Sequence, residues 1–332
     1  MFKEGINVIK LDQGEIIQVG DKRDTAKLVE EFYSDNPFPN YDNLETIFDL
    51  KKKAEGNEFT INVKKFIGLG KRVIEVGSGT SQLSIALASG TNNQVVAFDP
   101  TLESLRLGSE FSRKSGVFNC IFVNGDLFSN PFKQEYFDIV WCSGVLHHTE
   151  NPKKGFEVIT TWLKAEGYVV IGLYNLYGRI RTVFRQKLFR LLGSGKFGSL
   201  IVSLLDPILR QDISEEKKKA WFQDQYQHPV ESLHTLDEVL GWFDENNIEF
   251  ISSIPTCDLE NINYEKMFLS QSRGNIVTRF LSQFSMVFSP LGSEGGLFLV
   301  FDIGGVCFVI YKGFDRISHL REPKLYLAMA VH

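Results

Sequence analysis

The chain has 332 residues, 43% hydrophobic and 23% charged, which excludes a disordered or low-complexity protein and leaves room for one large globular domain or two small ones. Its net charge of −5 argues against a dedicated nucleic-acid binder. The four cysteines (Cys120, Cys142, Cys257, Cys307) are scattered, without metal-ligand spacing or a disulfide framework, so no metal is expected and a reducing, cytoplasmic location is.

The first residues, "MFKEGINVIK", lack a long apolar stretch, so no signal peptide is expected. From residue 73 the sequence alternates between buried strands and helices. "RVIEV" is an apolar, β-branched run. Leu83, Ala86 and Leu87 then fall at helical spacing, stopped near Gly90. "QVVAFD" is the next strand, and "TLESLRLGSEFSRKSG" reads as a helix beginning near Pro100 and stopped by Gly116. "NCIFVNGD" and "YFDIVWCSGV" are strands three and four of this series. Asn151 and Pro152 open a helix over "NPKKGFEVITTWLKAEG", and "YVVIGLYN" is the fifth strand. Strands alternating with helices at this spacing predict an α/β, doubly wound, mostly parallel sheet.

The rhythm breaks over 176–235 and returns at "HTLDEVLGWFDENNIEFISSIP". There Thr235 and Glu238 predict a capping box, Leu236, Val239, Leu240 and Phe243 a helix face, and "IEFISSI" a strand. A second irregular insert covers 256–295. The apolar stretch 296–311 is short for a membrane span, carries Asp302, and predicts a hairpin turning at Gly304-Gly305. No transmembrane segment is expected.

The stretch "VIEVGSGTSQLS" (73–84) ends a buried strand in an acid and two glycines. A phosphate-binding loop would need Lys and Ser/Thr after its last glycine, and Thr80-Ser81-Gln82 stands there instead. A dinucleotide fingerprint needs a third glycine where Gln82 stands. An acid two residues before Gly-x-Gly resembles motif I of the class I S-adenosylmethionine-dependent methyltransferases, although Ser81 replaces that motif's last glycine. "FDIVWCSGVLHHTENP", "GLYNLYGR" and "FYSDNPFPNY" resemble further segments of bacterial members that carry Val-Leu-His-His-Thr. The last of these is similar to a segment that packs over the cofactor. The resemblance covers about residues 30–180, and 225–300 more loosely.

This resemblance implies a seven-stranded Rossmann-like sheet, the cofactor S-adenosylmethionine, and a fixed set of ligand positions. Glu75 at the strand tip would offset the sulfonium or hold the ammonium, and bare Gly77 and Gly79 would let the ligand lie on the backbone. Asp99, 22 residues after Gly77, would accept the ribose hydroxyls, and Asp126 the adenine amino group. Ser78, Pro100, Gly125, Leu127 and Ser143 complete the expected cofactor site. The organisation expected is an N-terminal cover (1–60), a cofactor-binding core (61–175), a helical lid insert (176–235), the remainder of the core (236–313) and a tail (314–332).

Methyl transfer needs a nucleophile held opposite the methyl and, for many acceptors, a base. His147 and His148 follow the fourth strand; each is either a base or a ring that packs on adenosine or caps the next helix. His228 and His234, in "DQYQHPVESLHT", are the other candidate bases on what is either a pocket wall or a solvated loop. Tyr174, Asn175 and Tyr177 follow the fifth strand and are candidates for the acceptor pocket. Residues 179–196 hold six basic residues and no acid, with Phe184, Leu188, Leu191 and Leu192 near one helical face. This segment reads as a lid with Arg179 and Arg181 next to the acceptor, an anion-docking face, a membrane-surface helix or a solvated basic face. The expected function is methylation of an oxygen or nitrogen nucleophile on a small molecule. The rival readings are an RNA or protein modifier docked on the basic insert, and an S-adenosylmethionine binder with other chemistry.

Overall fold

The computed structural model describes residues 1–288, except 35, 36, 38, 40, 42, 43, 57, 194, 213, 229 and 261–266, together with strand 305–311. Two N-terminal strands, β1 (Val8–Leu11) and β2 (Ile16–Val19), form an antiparallel pair. Then come β3 (Arg72–Val76), β4 (Gln94–Asp99), β5 (Cys120–Gly125), β6 (Phe137–Ser143) and β7 (Leu163–Tyr174), all parallel. β8 (Glu249–Ile254) and β9 (Gly305–Tyr311) close the far edge, with β9 antiparallel to both β7 and β8. The spatial order is β1-β2-β5-β4-β3-β6-β7-β9-β8. The seven expected strands are therefore all in the sheet, and β2 adds a parallel partner to β5 that the sequence did not announce. Residues 296–304, the first half of the expected hairpin, and the tail lie outside the described residues. Residues 305–311 slot between β7 and β8.

The helices cover both faces. α1 (Asp24–Ser34), α2 (Ile47–Glu55), α3 (Glu58–Ile67), α4 (Gln82–Ala88) and α5 (Leu102–Lys114) precede β5; α6 (Pro152–Trp162) and α10 (Leu236–Glu245) follow. Neighbouring residues of a strand point to opposite faces. Ile74, Val96 and Val123 accordingly pack with Phe156, Trp162 and Phe243 of α6 and α10, while Val73, Val95 and Phe122 pack with Leu50, Val63, Leu83 and Leu105 of α2–α5. Fully burying side chains of this size contributes roughly 1.5–3 kcal/mol each, which is why parallel strands read as continuous apolar runs.

Caps follow the sequence closely. Asn151 accepts from Lys154 N at 2.9 Å with Pro152 in the first turn. Thr235 accepts from Glu238 N at 3.2 Å, but the Glu238 carboxylate turns to His234 Nδ1 (2.9 Å), so the expected capping box is only half made. The helix expected through 167 stops at Trp162, because Leu163 is fully buried and already pairs with Phe137.

Residues 176–235 form α7 (Ile180–Leu192), α8 (Lys196–Leu205) and α9 (Glu215–Gln227), with their own small core of Phe189, Val202, Leu209 and Tyr226. α7 buries Thr182, Arg185 and Phe189 and leaves Phe184 and Leu191 exposed. The expected apolar face is thus split: Phe184 and Leu191 point outward, while Leu188 and Leu192 are half-buried. The reason is Arg185, whose Nε donates to Tyr226 Oη (2.9 Å), while the same hydroxyl donates to Asp206 (2.5 Å) and draws the polar side inward. α11 (Ile276–Ser285) lies in the insert 256–295.

β3 ends in a turn that only glycine fits. Gly77 has φ +68°, and a Cβ added there would lie 2.1 Å from Val145 Cγ2. Gly77→Ala is expected to cost more than about 2 kcal/mol, the sum of a left-handed backbone and the overlap. Adding Val145→Ala should recover part of that loss in denaturant titrations. Strictly additive losses would show that the overlap is not the cause.

Candidate functional site

β3 is the point where the strand order reverses: β4 and β5 lie to one side, β6 and β7 to the other. A crevice must open outside the carboxyl ends there. It is a cavity of about 270 Å³, and all ten expected cofactor positions line it: Glu75, Gly77, Ser78, Gly79, Asp99, Pro100, Gly125, Asp126, Leu127 and Ser143. The glycine loop is pinned from β4. Gly77 N and Ser78 N both donate to Phe98 O, at 2.7 and 3.2 Å. Asp99 accepts from Gly79 N through one oxygen (2.8 Å) and from Thr101 N through the other (2.7 Å). Ser81, where the motif's last glycine would stand, adopts φ +64°, so it does a glycine's conformational work.

The two acids at the tips of β3 and β4 sit in a dry environment. Burial pushes the Glu75 carboxyl up from 4.5 to about 8, against the opposing hydrogen bonds from Ser84 N (2.9 Å) and Ser84 Oγ (2.5 Å). Burial also raises Asp99, although the bonds from Thr101 and Gly79 favour its charge. Glu75 is therefore largely neutral near pH 7 until a cation arrives beside it.

Asp126 is held by a residue the sequence did not single out. Arg23, at the start of α1, donates to its carboxylate from Nε (2.8 Å), Nη2 (3.3 Å) and its own backbone N (3.1 Å). Phe128 N adds a fourth bond at 2.9 Å. The Arg23 guanidinium lies 3.7 Å over the Phe128 ring and also pairs with Glu150. Arg23, Tyr33 and Pro39 line the cavity, so the N-terminal segment forms part of its wall. Tyr41 Oη donates to Thr80 O at 2.7 Å and ties that segment to the glycine loop. Arg23 lies 103 residues from Asp126 in sequence, and no local pattern marks it.

On the opposite wall, His148 and Tyr174 line the cavity together with Val145 and Trp221 of α9. Of the candidate bases, His148 alone lines it. Its Nδ1 lies 2.9 Å from Val230 O. A carbonyl can only accept, so Nδ1 carries a proton, and in the neutral ring Nε2 holds the lone pair. His147, its neighbour, is fully buried behind the wall, stacked on Tyr174 at 3.8 Å. Neither of its ring nitrogens has a hydrogen-bond partner among the described residues. Burial drives its pKa well below 6.5, with His148 and Arg179 adding repulsion, so it is a neutral packing ring. His234 is also structural: Nδ1 meets Glu238 and Nε2 meets Ser232 Oγ (2.8 Å). His228 lies tilted against His148, ring centres 3.8 Å apart, and accepts from Val230 N; it does not line the cavity.

The acceptor-side positions divide similarly. Tyr174 lines the cavity; Asn175, Tyr177, Arg179 and Arg181 do not. Asn175 is fully buried and bonds His234 O (3.2 Å) and Gln283 Oε1 (3.0 Å), joining the end of β7 to α11. Tyr177 packs edge-on against Phe280. Arg179 is fully buried, pairs with Glu231 (2.9 Å) and Gln225, and lays its guanidinium 3.9 Å over Tyr174. It supports the wall from behind. Arg181 is exposed on α7.

Residues 67–228 match a family described as a methyltransferase domain. An uncharacterized methyltransferase, YcgJ, of Bacillus subtilis is 29% identical over 133 residues, which is 40% of this chain and 52% of that protein. A demethylmenaquinone methyltransferase of Renibacterium salmoninarum is 27% identical over 160 residues, 48% of this chain and 65% of that one. The chain thus spans about half to two thirds of the length of these relatives. Among solved structures, PKMT2 from Rickettsia typhi in complex with AdoHcy superposes with TM-score 0.54 at 12% identity, over 86% of this chain and 56% of that one, a likeness of fold.

The raised Glu75 carboxyl has a consequence for stability. Between its ordinary 4.5 and about 8, the native state holds a proton that the unfolded state has released. Stability is therefore expected to fall as pH rises through this window. Urea unfolding of the ligand-free chain at about pH 5.5 and about pH 8 should show the fall, and Glu75→Gln should flatten it. A slope unchanged by Glu75→Gln would assign the effect elsewhere.

Proposed function

We propose that this chain, whose residues 67–228 match a methyltransferase-domain family, is a class I S-adenosylmethionine-dependent methyltransferase that transfers the methyl group to a small-molecule acceptor seated between the β6 and β7 ends and α9. The observation that carries this reading is the convergence of the glycine turn, the strand-end acids, His148 and Tyr174 on one cavity. The residues present suit this cofactor. The bare backbone at Gly77 gives a flat seat that a Cβ would fill, and Glu75 offers a carboxylate to a cation. When bound, S-adenosylmethionine supplies an electrophilic methyl on a sulfonium for in-line displacement.

The chain's own residues then have distinct tasks. Asp99 accepts from the ribose hydroxyls while holding Gly79 and Thr101. Glu75 ionises against the incoming positive charge. Asp126, already paired with Arg23, fixes the adenine end of the cavity. Tyr174, backed by Arg179 and His147, forms a rigid wall for the acceptor. His148 Nε2 takes a proton from acceptors that must lose one. The macromolecular alternative loses much of its support, because Arg179 and Arg185 of the basic insert are buried in internal pairs.

Calorimetry should find S-adenosylhomocysteine binding weakened by roughly 2–4 kcal/mol in Asp99→Ala, the worth of two charge-assisted hydrogen bonds. Unchanged affinity would remove Asp99 from the site.

Transfer of labelled methyl to a panel of oxygen, nitrogen and carbon nucleophiles, demethylmenaquinone among them, tests the activity itself. For a proton-losing acceptor, His148→Gln should lower kcat about 100-fold or more while S-adenosylhomocysteine still binds. Tight cofactor binding with no transfer to any acceptor would favour a binding protein.

A further inference from the structure

α11 is built inside out. It buries Ser282 and Gln283, and Gln283 bonds Asn175 and Leu236 N, while Ile276, Val277, Phe280, Leu281 and Phe284 lie between 42% and 70% exposed. α7 repeats the pattern: Ile180, Phe184 and Leu191 are exposed, one helical face apart from Lys187, which is exposed among them. α8, packed on α7, exposes Phe197, Leu200 and Leu204 at the same kind of spacing. The edge-on contact of Tyr177 with Phe280 at 5.8 Å joins the start of α7 to α11, and Phe280, Phe284 and Phe288 continue as a chain of rings. Scattered apolar side chains are normal on a surface, but three helices that each expose an apolar stripe, two of them packed together and the third joined through Tyr177 and Phe280, are not.

The charges of these segments are one-sided, with Arg273 and Arg279 beside α11 paired to Asp244 and Asp237 of α10. Residues 176–205 and 267–288 contain no Asp or Glu. Two of the arginines of α7's segment are spent internally, on Glu231 and on Tyr226, whereas Lys187 and Arg190 stand exposed beside the apolar stripe. A second copy of the same face would bring base against base. An amphipathic face with apolar residues flanked by Lys and Arg suits an anionic lipid surface instead. No helix among the described residues is long and apolar enough to cross a membrane, so contact would be interfacial.

We propose that α7, α8 and α11 form a docking face for anionic lipid bilayers. The apolar side chains enter the headgroup boundary, and Lys187 and Arg190 meet lipid phosphates. α9, packed on α7, supplies Trp221 to the cavity wall, so the docking helices and the cavity belong to one packed unit. The inference is independent of the methyl-transfer reading, since it concerns attachment and not chemistry.

The test is flotation of the full chain with vesicles of phosphatidylcholine alone and of phosphatidylcholine with phosphatidylglycerol, at low and high salt. The chain should float with the anionic vesicles and less so in high salt. Phe184→Gln/Leu191→Gln and Lys187→Gln/Arg190→Gln should each reduce the bound fraction about tenfold or more. Their melting temperatures and S-adenosylhomocysteine affinities should match the parent, which separates lost docking from lost folding. No flotation of the parent chain would overturn the proposal and indicate that the face is covered by the chain itself. Flotation unaffected by either pair would also overturn it. So would variants that change only the oligomeric state, which would make the face a contact between copies.

Discussion

The carboxyl edge of the sheet depends on one turn. Gly77 and the residue after it both donate to Phe98 O, so the end of β3 is fastened to the end of β4 before any side chain is considered. The left-handed backbone at Gly77 brings its Cα against Val145, in the loop after β6. Asp99 then holds Gly79 with one oxygen and Thr101, the residue preceding α5, with the other. Three strand ends and one helix start are set by these few bonds, and the cavity is the space they leave. A ligand approaching this surface meets backbone and two buried carboxyls, not flexible side chains.

Burial decides the charge state of the groups around that cavity. Glu75 is driven toward its neutral form, which keeps an uncompensated anion out of a dry site until a cation can share it. His147 is driven neutral for the same reason and serves as a flat ring behind Tyr174. Arg179, by contrast, is matched by Glu231 and laid over the Tyr174 ring. Truncating that arginine would leave Glu231 half-satisfied and Tyr174 unsupported. A residue that never touches the cavity thus holds one of its walls.

The three-helix unit after β7 follows a different logic from the core. Its small interior includes the Arg185–Tyr226–Asp206 network, and satisfying that network turns the polar side of α7 inward. Phe184 and Leu191 are then left facing out, and α8 and α11 expose apolar stripes of their own. A basic, acid-free segment becomes a mixed surface: some arginines spent on structure, the remaining bases set beside exposed apolar residues. One unit thus serves two surfaces: Trp221 of α9 lines the cavity, and α7 and α8 carry exposed apolar stripes.

Much of this architecture was written locally. The strands of the core were visible because both faces are covered, which produces continuous β-branched runs, and the glycine turn because no other residue takes that backbone cheaply. The acids at three strand ends could be aligned by counting, since a parallel sheet places successive strand ends together. Chain proximity could not reveal the rest. Arg23 reaches Asp126 across 103 residues. His147 and His148 are adjacent in sequence, yet a single turn of 3-10 helix puts one in the core and the other on the cavity. The outward face of α7 depends on a tyrosine and an aspartate from two later segments, and β9 finds its place between β7 and β8 only when the sheet assembles. Backbone preference and hydrophobic period act over a few residues and are legible in order along the chain. Ion pairs, ring stacks and the choice of which helix face to bury are settled between distant segments, and only the folded structure brings those together.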